Sequence, residues 1–141
     1  NSFIFMLSIN MLFVISAFIA FTTGTSWGTF AIMIPIGTGI VSVSGGDITL
    51  GISAILAGAV FGDHSSPISD TTILSATGAG CSTQSHFITQ LPYVSSVAAI
   101  SLISFIVAGI YGVLFGYIIG ICATILLFYF YKKYLSKPIN L

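Results

Sequence analysis

The chain has 141 residues, of which 56% are hydrophobic and only 4% are charged, and its formal net charge is zero. A soluble domain carries about 25% charged residues, so this sequence cannot solvate an ordinary protein surface. The mean hydropathy of +1.12 instead predicts an all-α polytopic membrane protein in contact with the lipid bilayer. The sequence has no arginine and no basic run outside its C-terminal end, so nucleic acid is not an expected partner.

The N-terminal region begins with a candidate membrane span. Residues 3–22 are almost entirely apolar, and about 20 such residues cross a bilayer as a helix. The polar segment TGTSWGT, residues 23–29, then interrupts the apolar sequence, and residues 30–44 are short for a full span and contain Pro35. Over residues 1–44 we therefore predict either a helix, a break and a second helix, or a hairpin that turns around residues 23–29.

The middle of the chain predicts a broken helix over residues 48–80. A Gly-Gly-Asp turn signal precedes it, and Asp47 is placed to cap the N-terminus of the helix. The apolar run 48–61 is too short to cross a membrane alone, which is typical of a half-helix or a re-entrant arm. Because Pro67 removes a backbone donor, we predict that the helix breaks around residues 62–72.

The C-terminal region, residues 92–131, is nearly continuous apolar sequence. A single helix of that length would be about 60 Å long, twice the thickness of the hydrocarbon core. We therefore predict two C-terminal helices with a tight turn near Gly109–Gly112, and Pro92 in the first turn of the first of them. Aromatic residues and lysines then mark a membrane interface, so residues 132–141 are predicted to form a cytoplasmic tail.

The segment GDHSSPISD, residues 62–70, is the main candidate for a functional site. It carries Asp63 and Asp70, two of the three carboxylates of the chain, among several hydroxyl groups. Carboxylates, hydroxyls and carbonyls freed by a broken helix are the oxygen atoms that a hard cation such as Na+ needs. A carboxylate at membrane depth costs at least ~2.5 kcal/mol, so an ion, a proton or a partner should neutralise it. Competition of Na+ and H+ for one site would give exchange, and Asp70 is favoured because it follows the break at Pro67.

The alternative for this segment is a polar turn between two helices at the membrane surface, since such turns are common. Two neighbouring features favour a buried site over that alternative. The preceding arm is short, and residues 71–91 are rich in Ser, Thr and Gly without any Lys or Glu. Small uncharged polar residues are typical of backbone that is buried in protein at membrane depth.

Two further patterns admit more than one interpretation. His64 is either a proton relay or a histidine that hydrogen-bonds a neighbour, and the second is favoured because adjacent helical residues do not face each other. Gly24–Gly28 matches the G-x-S-x-G pattern of hydrolases, but that motif requires a preceding strand, and here an apolar helix precedes it. We therefore expect a transporter and not an enzyme. The same glycines form a GxxxG pair, so close helix packing and a hydroxyl-lined cavity both stay open for this segment.

Three stretches of the sequence carry a resemblance to a known family, namely TGTSWGTFAIMIPI (23–36), GAVFGDHSSPISDTTILSATGAG (58–80) and TQLPY (89–93). Together they resemble the NhaC-type sodium/proton antiporter family of the ion-transporter superfamily. The resemblance implies an inverted-repeat secondary transporter with broken or re-entrant helices, of which this chain holds one repeat. It also implies that residues 1–141 form a single transmembrane domain, a C-terminal fragment whose partner is the N-terminal half of the same transporter.

The resemblance further implies the transported ions and the residues that bind them. Na+ and H+ would be transported by a multi-pass protein of the cell membrane, with Na+ held transiently around Asp63 and Asp70 and no cofactor. Relatives that resemble organic-solute exchangers leave Na+- or H+-coupled transport of a small organic acid or amino acid as the alternative, and a homodimer stays open. The implied ion-binding and proton-coupling residues are Asp63, Asp70, Ser66, Ser69, Thr71, Thr72, Thr25, Ser26 and Thr29.

Overall fold

The structure, a computed structural model, describes residues 2–135, so part of the predicted tail 132–141, with Lys137, lies outside the described residues. The described chain is helical apart from short connections. Four of its helices are long and apolar enough to cross a membrane, which makes the protein an all-α polytopic membrane protein. The helices are α1 (Ser2–Thr23), α2 (Ser26–Ser44), α3 (Ile48–His64), α4 (Asp70–Gly78), α5 (Thr83–Tyr111) and α6 (Val113–Phe130), followed by a π-helical turn (Tyr131–Leu135).

Helices α1 and α2 form an antiparallel hairpin, one of the two arrangements predicted around residues 23–29. Only residues 24–25 separate the helices, and a Cβ atom at Gly37 of α2 would lie 3.3 Å from Leu12 of α1. The break is therefore much shorter than the polar segment TGTSWGT. The expectation that residues 30–44 are too short for a span was wrong, because α2 begins at Ser26 and continues through Pro35 for 19 residues.

Helix α3 packs against both helices of this hairpin, and its glycines allow the closest approach. A Cβ atom at Gly58 would lie 2.2 Å from the carbonyl oxygen of Phe13, and one at Gly62 would lie 2.1 Å from that of Ala17. Small residues spaced four apart let two helix backbones come this close in membrane proteins. On the neighbouring face of α1, Phe13 stacks on Phe61 with 6.4 Å between ring centroids. The result is a three-helix core of α1, α2 and α3.

The segment after α3 follows the predicted broken helix, with different bounds. Helix α3 ends at His64, where residue 61 was expected, and residues 65–69 separate it from the nine-residue α4. Asp47 caps α3 as predicted, since its Oδ1 accepts a hydrogen bond of 2.8 Å from the backbone N–H of Thr49.

Helix α5 packs on the core, mainly on α1, and α6 packs on α5. They are the two predicted C-terminal helices. Placing Pro92 in the first turn of α5 was wrong, because the helix begins at Thr83 and Pro92 lies inside it. The reason is local, since the Oγ of Ser82 accepts the N–H of Ser85 and caps the helix there. Gly112, with a φ of +101°, forms the turn between α5 and α6.

The close approach of α3 to α1 generates a prediction for stability. Gly58→Ala should lower the free energy of unfolding of the full-length protein by about 1–3 kcal/mol or more, because the added methyl group meets backbone that cannot move aside. Thermal unfolding in detergent would measure the loss. The matched control is Gly39→Ala in α2, where a Cβ atom meets nothing within 4 Å and alanine favours the helix. Equal unfolding temperatures for the two variants would contradict this packing.

Candidate functional site

The connection between α1 and α2 meets the connection between α3 and α4 at one end of the three-helix core. Gly24, in the first connection, has a φ of +69°, which glycine adopts without strain. A Cβ atom at Gly24 would lie only 3.0 Å from the carbonyl oxygen of Ile68 in the second connection. Gly28, in contrast, is exposed and would meet only Thr25. The two glycines therefore do not act as a helix-packing pair, and Gly24 instead joins the two helix breaks.

Asp63 is the carboxylate that this junction buries. Its side chain is 3% exposed, and each of its oxygens accepts a hydrogen bond from a different serine, one at the start of α2 and one just before α4. Ser26 Oγ, in the first turn of α2, donates to Oδ2 at 2.9 Å, and Ser69 Oγ, just before α4, donates to Oδ1. Among the described residues 2–135, the carboxylate has no lysine or histidine as a partner.

Helix ends set the electrostatics around Asp63. Ser26 is the first residue of α2 and Ser69 is the N-cap of α4, so two helix N-termini adjoin the carboxylate. Their partial positive charges stabilise an anion, whereas Asp63 itself lies in the last turn of α3, where the helix dipole is negative. Helix N-termini and hydroxyl donors are thus the electrostatic compensation that the described residues give to this buried carboxylate.

Ser69 is the residue that ties α4 to this carboxylate. Besides donating to Asp63, its Oγ accepts the backbone N–H of Thr71 at 3.2 Å and lies 2.7 Å from Thr71 Oγ1. One hydroxyl thus caps α4 and holds Asp63. Thr25 is the N-cap of α2, because its Oγ1 accepts the N–H of Gly28.

The other predicted hydroxyls divide into those with backbone partners and one without. Thr29 is 1% exposed and donates to the carbonyl oxygen of Thr25, while Ser66 is fully buried and accepts the N–H of Ile68. Thr72 is 2% exposed, and its Oγ1 has no hydrogen-bond partner in the described part of the chain. A buried hydroxyl without a partner is costly, so Thr72 is available to a ligand.

Asp70 does not share the site, contrary to the preference that its position after Pro67 produced. It is exposed, and its Oδ1 accepts the backbone N–H of Thr71 at 2.8 Å. In the first turn of α4 this carboxylate stabilises the helix N-terminus. His64 is exposed as well, and its Nδ1 lies 2.9 Å from the carbonyl oxygen of Val60, in agreement with the simpler of its two interpretations.

One residue of the junction was absent from the predicted set. Ser65 is 3% exposed, and its Oγ donates to the carbonyl oxygen of Phe61 at 2.7 Å and to that of Gly62 at 3.2 Å. It closes the C-terminus of α3, directly after the turn that carries Asp63. The signal in the sequence is its position beside the predicted break, where it counted only among the neighbouring hydroxyl groups.

The chain is similar to proteins of a known family. A model of the Na+/H+ antiporter family matches residues 5–110. An uncharacterized protein of Haemophilus influenzae is 47% identical over 125 residues, 87% of this chain and 24% of that protein. The malate-2H(+)/Na(+)-lactate antiporter of Bacillus subtilis is 36% identical over 100 residues, 68% of this chain and 20% of that protein.

A further similarity is to an uncharacterized Na(+)/H(+) antiporter of Haemophilus influenzae, 35% identical over 75 residues, which are 51% of this chain and 15% of that protein. The chain thus spans about a quarter, or less, of the length of the curated relatives it matches. No solved structure matches it.

The burial of the junction predicts slow chemical labelling. In the full-length protein with Cys81 and Cys122, both exposed and free, replaced by serine, Ser69→Cys should react with a maleimide roughly tenfold or more slowly than Ser75→Cys. Ser75 is an exposed residue of the same helix α4, whereas position 69 must open before it can react. Equal labelling rates would contradict the burial of position 69 and would favour the alternative of a polar turn at the membrane surface.

Proposed function

Because this chain belongs to the Na+/H+ antiporter family, we propose that it forms the part of a secondary active transporter in which Na+ and H+ compete for Asp63. The observation that carries the proposal is the burial of this carboxylate, 3% exposed, with hydroxyl partners only. Hydroxyl oxygens keep lone pairs for a cation while they donate to a carboxylate. Oxygen-only surroundings of this kind suit a hard cation such as Na+.

Exchange follows from the single negative charge. Either Na+ or H+ neutralises Asp63, and a bound cation leaves no place for the proton on the same oxygens. An empty site would carry an uncompensated charge out of water, which costs several kcal/mol. Reorientation of the empty carrier is therefore disfavoured, and each ion moves only in exchange for the other. No chemical bond of a substrate is broken in this cycle, so the protein acts as a transporter and not as an enzyme.

The ligands come from both connections and from the start of α4. Ser26 and Ser69 contact the carboxylate directly, and the Oγ1 of Thr72 supplies an additional oxygen without a competing partner. Four neighbouring hydroxyl residues hold these residues in place, namely Ser66, Thr29, Thr25 and Thr71. Asp70 contributes the surface charge at the N-terminus of α4 and is not the ion-binding carboxylate in this proposal.

The complete transporter needs residues that lie outside this chain. Because the chain spans at most about a quarter of its curated relatives, we infer that the remaining sequence supplies a related half and completes the site. An inverted repeat with broken helices is the architecture that such halves form in secondary transporters. A location in the cell membrane with a cytoplasmic C-terminus also belongs to this proposal, supported by the exposed Lys132 and Lys133 after the aromatic end of α6.

A second candidate is the exchange of organic acids, favoured by the similarity to a relative named malate-2H(+)/Na(+)-lactate antiporter. In that case Asp63 would still couple to Na+ or H+. The sequence contains no arginine, the residue that binds carboxylates bidentately, and its lysines lie near the C-terminus. An organic anion would therefore contact the remainder of the full-length protein.

The test uses everted vesicles that contain the full-length protein and measures the collapse of an imposed pH gradient on addition of Na+. Asp63→Asn should abolish the Na+-dependent signal, because the amide cannot alternate between a cation and a proton. Asp70→Asn should retain it. Asp47→Asn is the matched control, since asparagine caps helix α3 as well as aspartate does. Normal exchange by Asp63→Asn would overturn the assignment of the site.

The same vesicles separate the two candidate functions. For sodium/proton exchange, Na+ alone collapses the gradient in the wild type. For the organic-acid candidate, Na+ has no effect until lactate or malate is supplied on the appropriate side. In both cases the Asp63→Asn variant loses the response, so the substrate and the coupling residue are tested separately.

A further inference from the structure

An open apolar groove lies between α3, α5 and α6, and none of the residues that line it belongs to the ion site described above. Its volume is about 530 Å³, and its walls belong to the first half of α3, the second half of α5 and one face of α6. We propose that this groove seats an apolar transmembrane helix from the part of the full-length protein that lies outside residues 1–141. The proposal concerns assembly and does not depend on which ions or solutes are transported.

The shape of the groove comes from the way α6 is attached. Helix α6 packs on α5 and makes no comparable contact with α3, so a gap stays open between α3 and α6. On the α5 side a Cβ atom at Gly116 would lie 2.6 Å from Ala108, and one at Gly120 would lie 2.8 Å from the Oγ of Ser104. These contacts fix α6 on α5 and leave the space towards Leu50 and Ala57 open.

The residues that line the groove distinguish it from a lipid-facing surface. Small side chains dominate its floor, and small residues mark faces where membrane helices approach each other closely. The outer face of α6, in contrast, presents large apolar side chains such as Leu114, Ile118 and Leu126, as expected for contact with lipid chains. The glycines, alanines and serines that line the groove are Ser53, Ala57, Ser101, Ser104, Ala108, Gly116 and Gly120.

The hydroxyl groups in the groove are compatible with an apolar occupant. Ser53, Ser101 and Ser104 donate to carbonyl oxygens four residues earlier in their own helices, at 2.8, 3.0 and 2.8 Å. Thr124 likewise donates to the carbonyl oxygen of Gly120. Because these four donors are already satisfied, an apolar helix face can cover them without loss of their hydrogen bonds.

The length of the protein argues for an occupant from the same polypeptide. This chain covers 24% of its 47% identical relative, so about three quarters of such a protein lies outside the structure. Helices α5 and α6 are the least buried candidate spans. Of the most apolar stretch of each helix, 11% is buried in α5 and 6% in α6, against 28% in α1 and in α2. A neighbouring helix in the groove would cover part of both α5 and α6.

Photo-crosslinking of the full-length protein in its native membrane tests the proposal. Tyr117 lines the groove and is 66% exposed, so its replacement by p-benzoyl-phenylalanine should not disturb folding. The expected product joins position 117 to an apolar segment of the same polypeptide outside residues 1–141, identified by mass spectrometry. The matched control places the probe at Ile118, on the lipid-facing side of α6, and should give lipid adducts. Lipid adducts at position 117, or a crosslink between two copies of the protein, would overturn the proposal.

A stability measurement gives a second, independent readout. Ser53→Phe fills the groove from an exposed position of α3, so it should lower the unfolding temperature of the full-length protein if a helix is seated there. An empty or lipid-filled groove would accept the ring without loss, and that result would contradict the proposal. Leu56→Phe, at a neighbouring exposed position that does not line the groove, is the control and should leave the unfolding temperature unchanged.

Discussion

The structure depends on one constraint, the burial of the Asp63 carboxylate without a cationic partner among the described residues. Both of its oxygens accept hydrogen bonds from serines, and these serines begin two different helices. Hydrogen bonds and helix N-termini lower the cost of the charge but do not neutralise it. In the proposed cycle, Na+ or H+ supplies the positive charge that neutralises this group out of water.

Close backbone approaches bring the site together in a chain that has almost no charged residues. Gly58 and Gly62 let α3 lie directly on α1, which places the end of α3 beside the hairpin turn. Gly24 then allows that turn to contact the carbonyl oxygen of Ile68 in the second break. Without a hydrophobic driving force between helices in lipid, such packing contacts and interhelical hydrogen bonds hold the two breaks together.

Local signals in the sequence predicted the membrane class, the break near Pro67 and the cap at Asp47, and the family resemblance is confirmed by the family match. The sequence favoured Asp70 over Asp63, whereas the structure buries Asp63. Burial is a tertiary property, decided here by a hydrogen bond between residues 37 apart in sequence. Serine and threonine runs caused the errors in the helix bounds. They were taken as unwound backbone, whereas Ser82 caps α5 and Ser26 starts α2, so both helices begin earlier than predicted.

Proton release on Na+ binding is the measurement that tests the central claim most directly. Na+ is added to the purified full-length protein in weakly buffered detergent solution at several pH values, and the pH change is recorded. Competition for Asp63 predicts that protons are released as Na+ binds and that the apparent affinity for Na+ falls as the pH is lowered. Na+ binding without proton release, at an affinity independent of pH, would contradict the account.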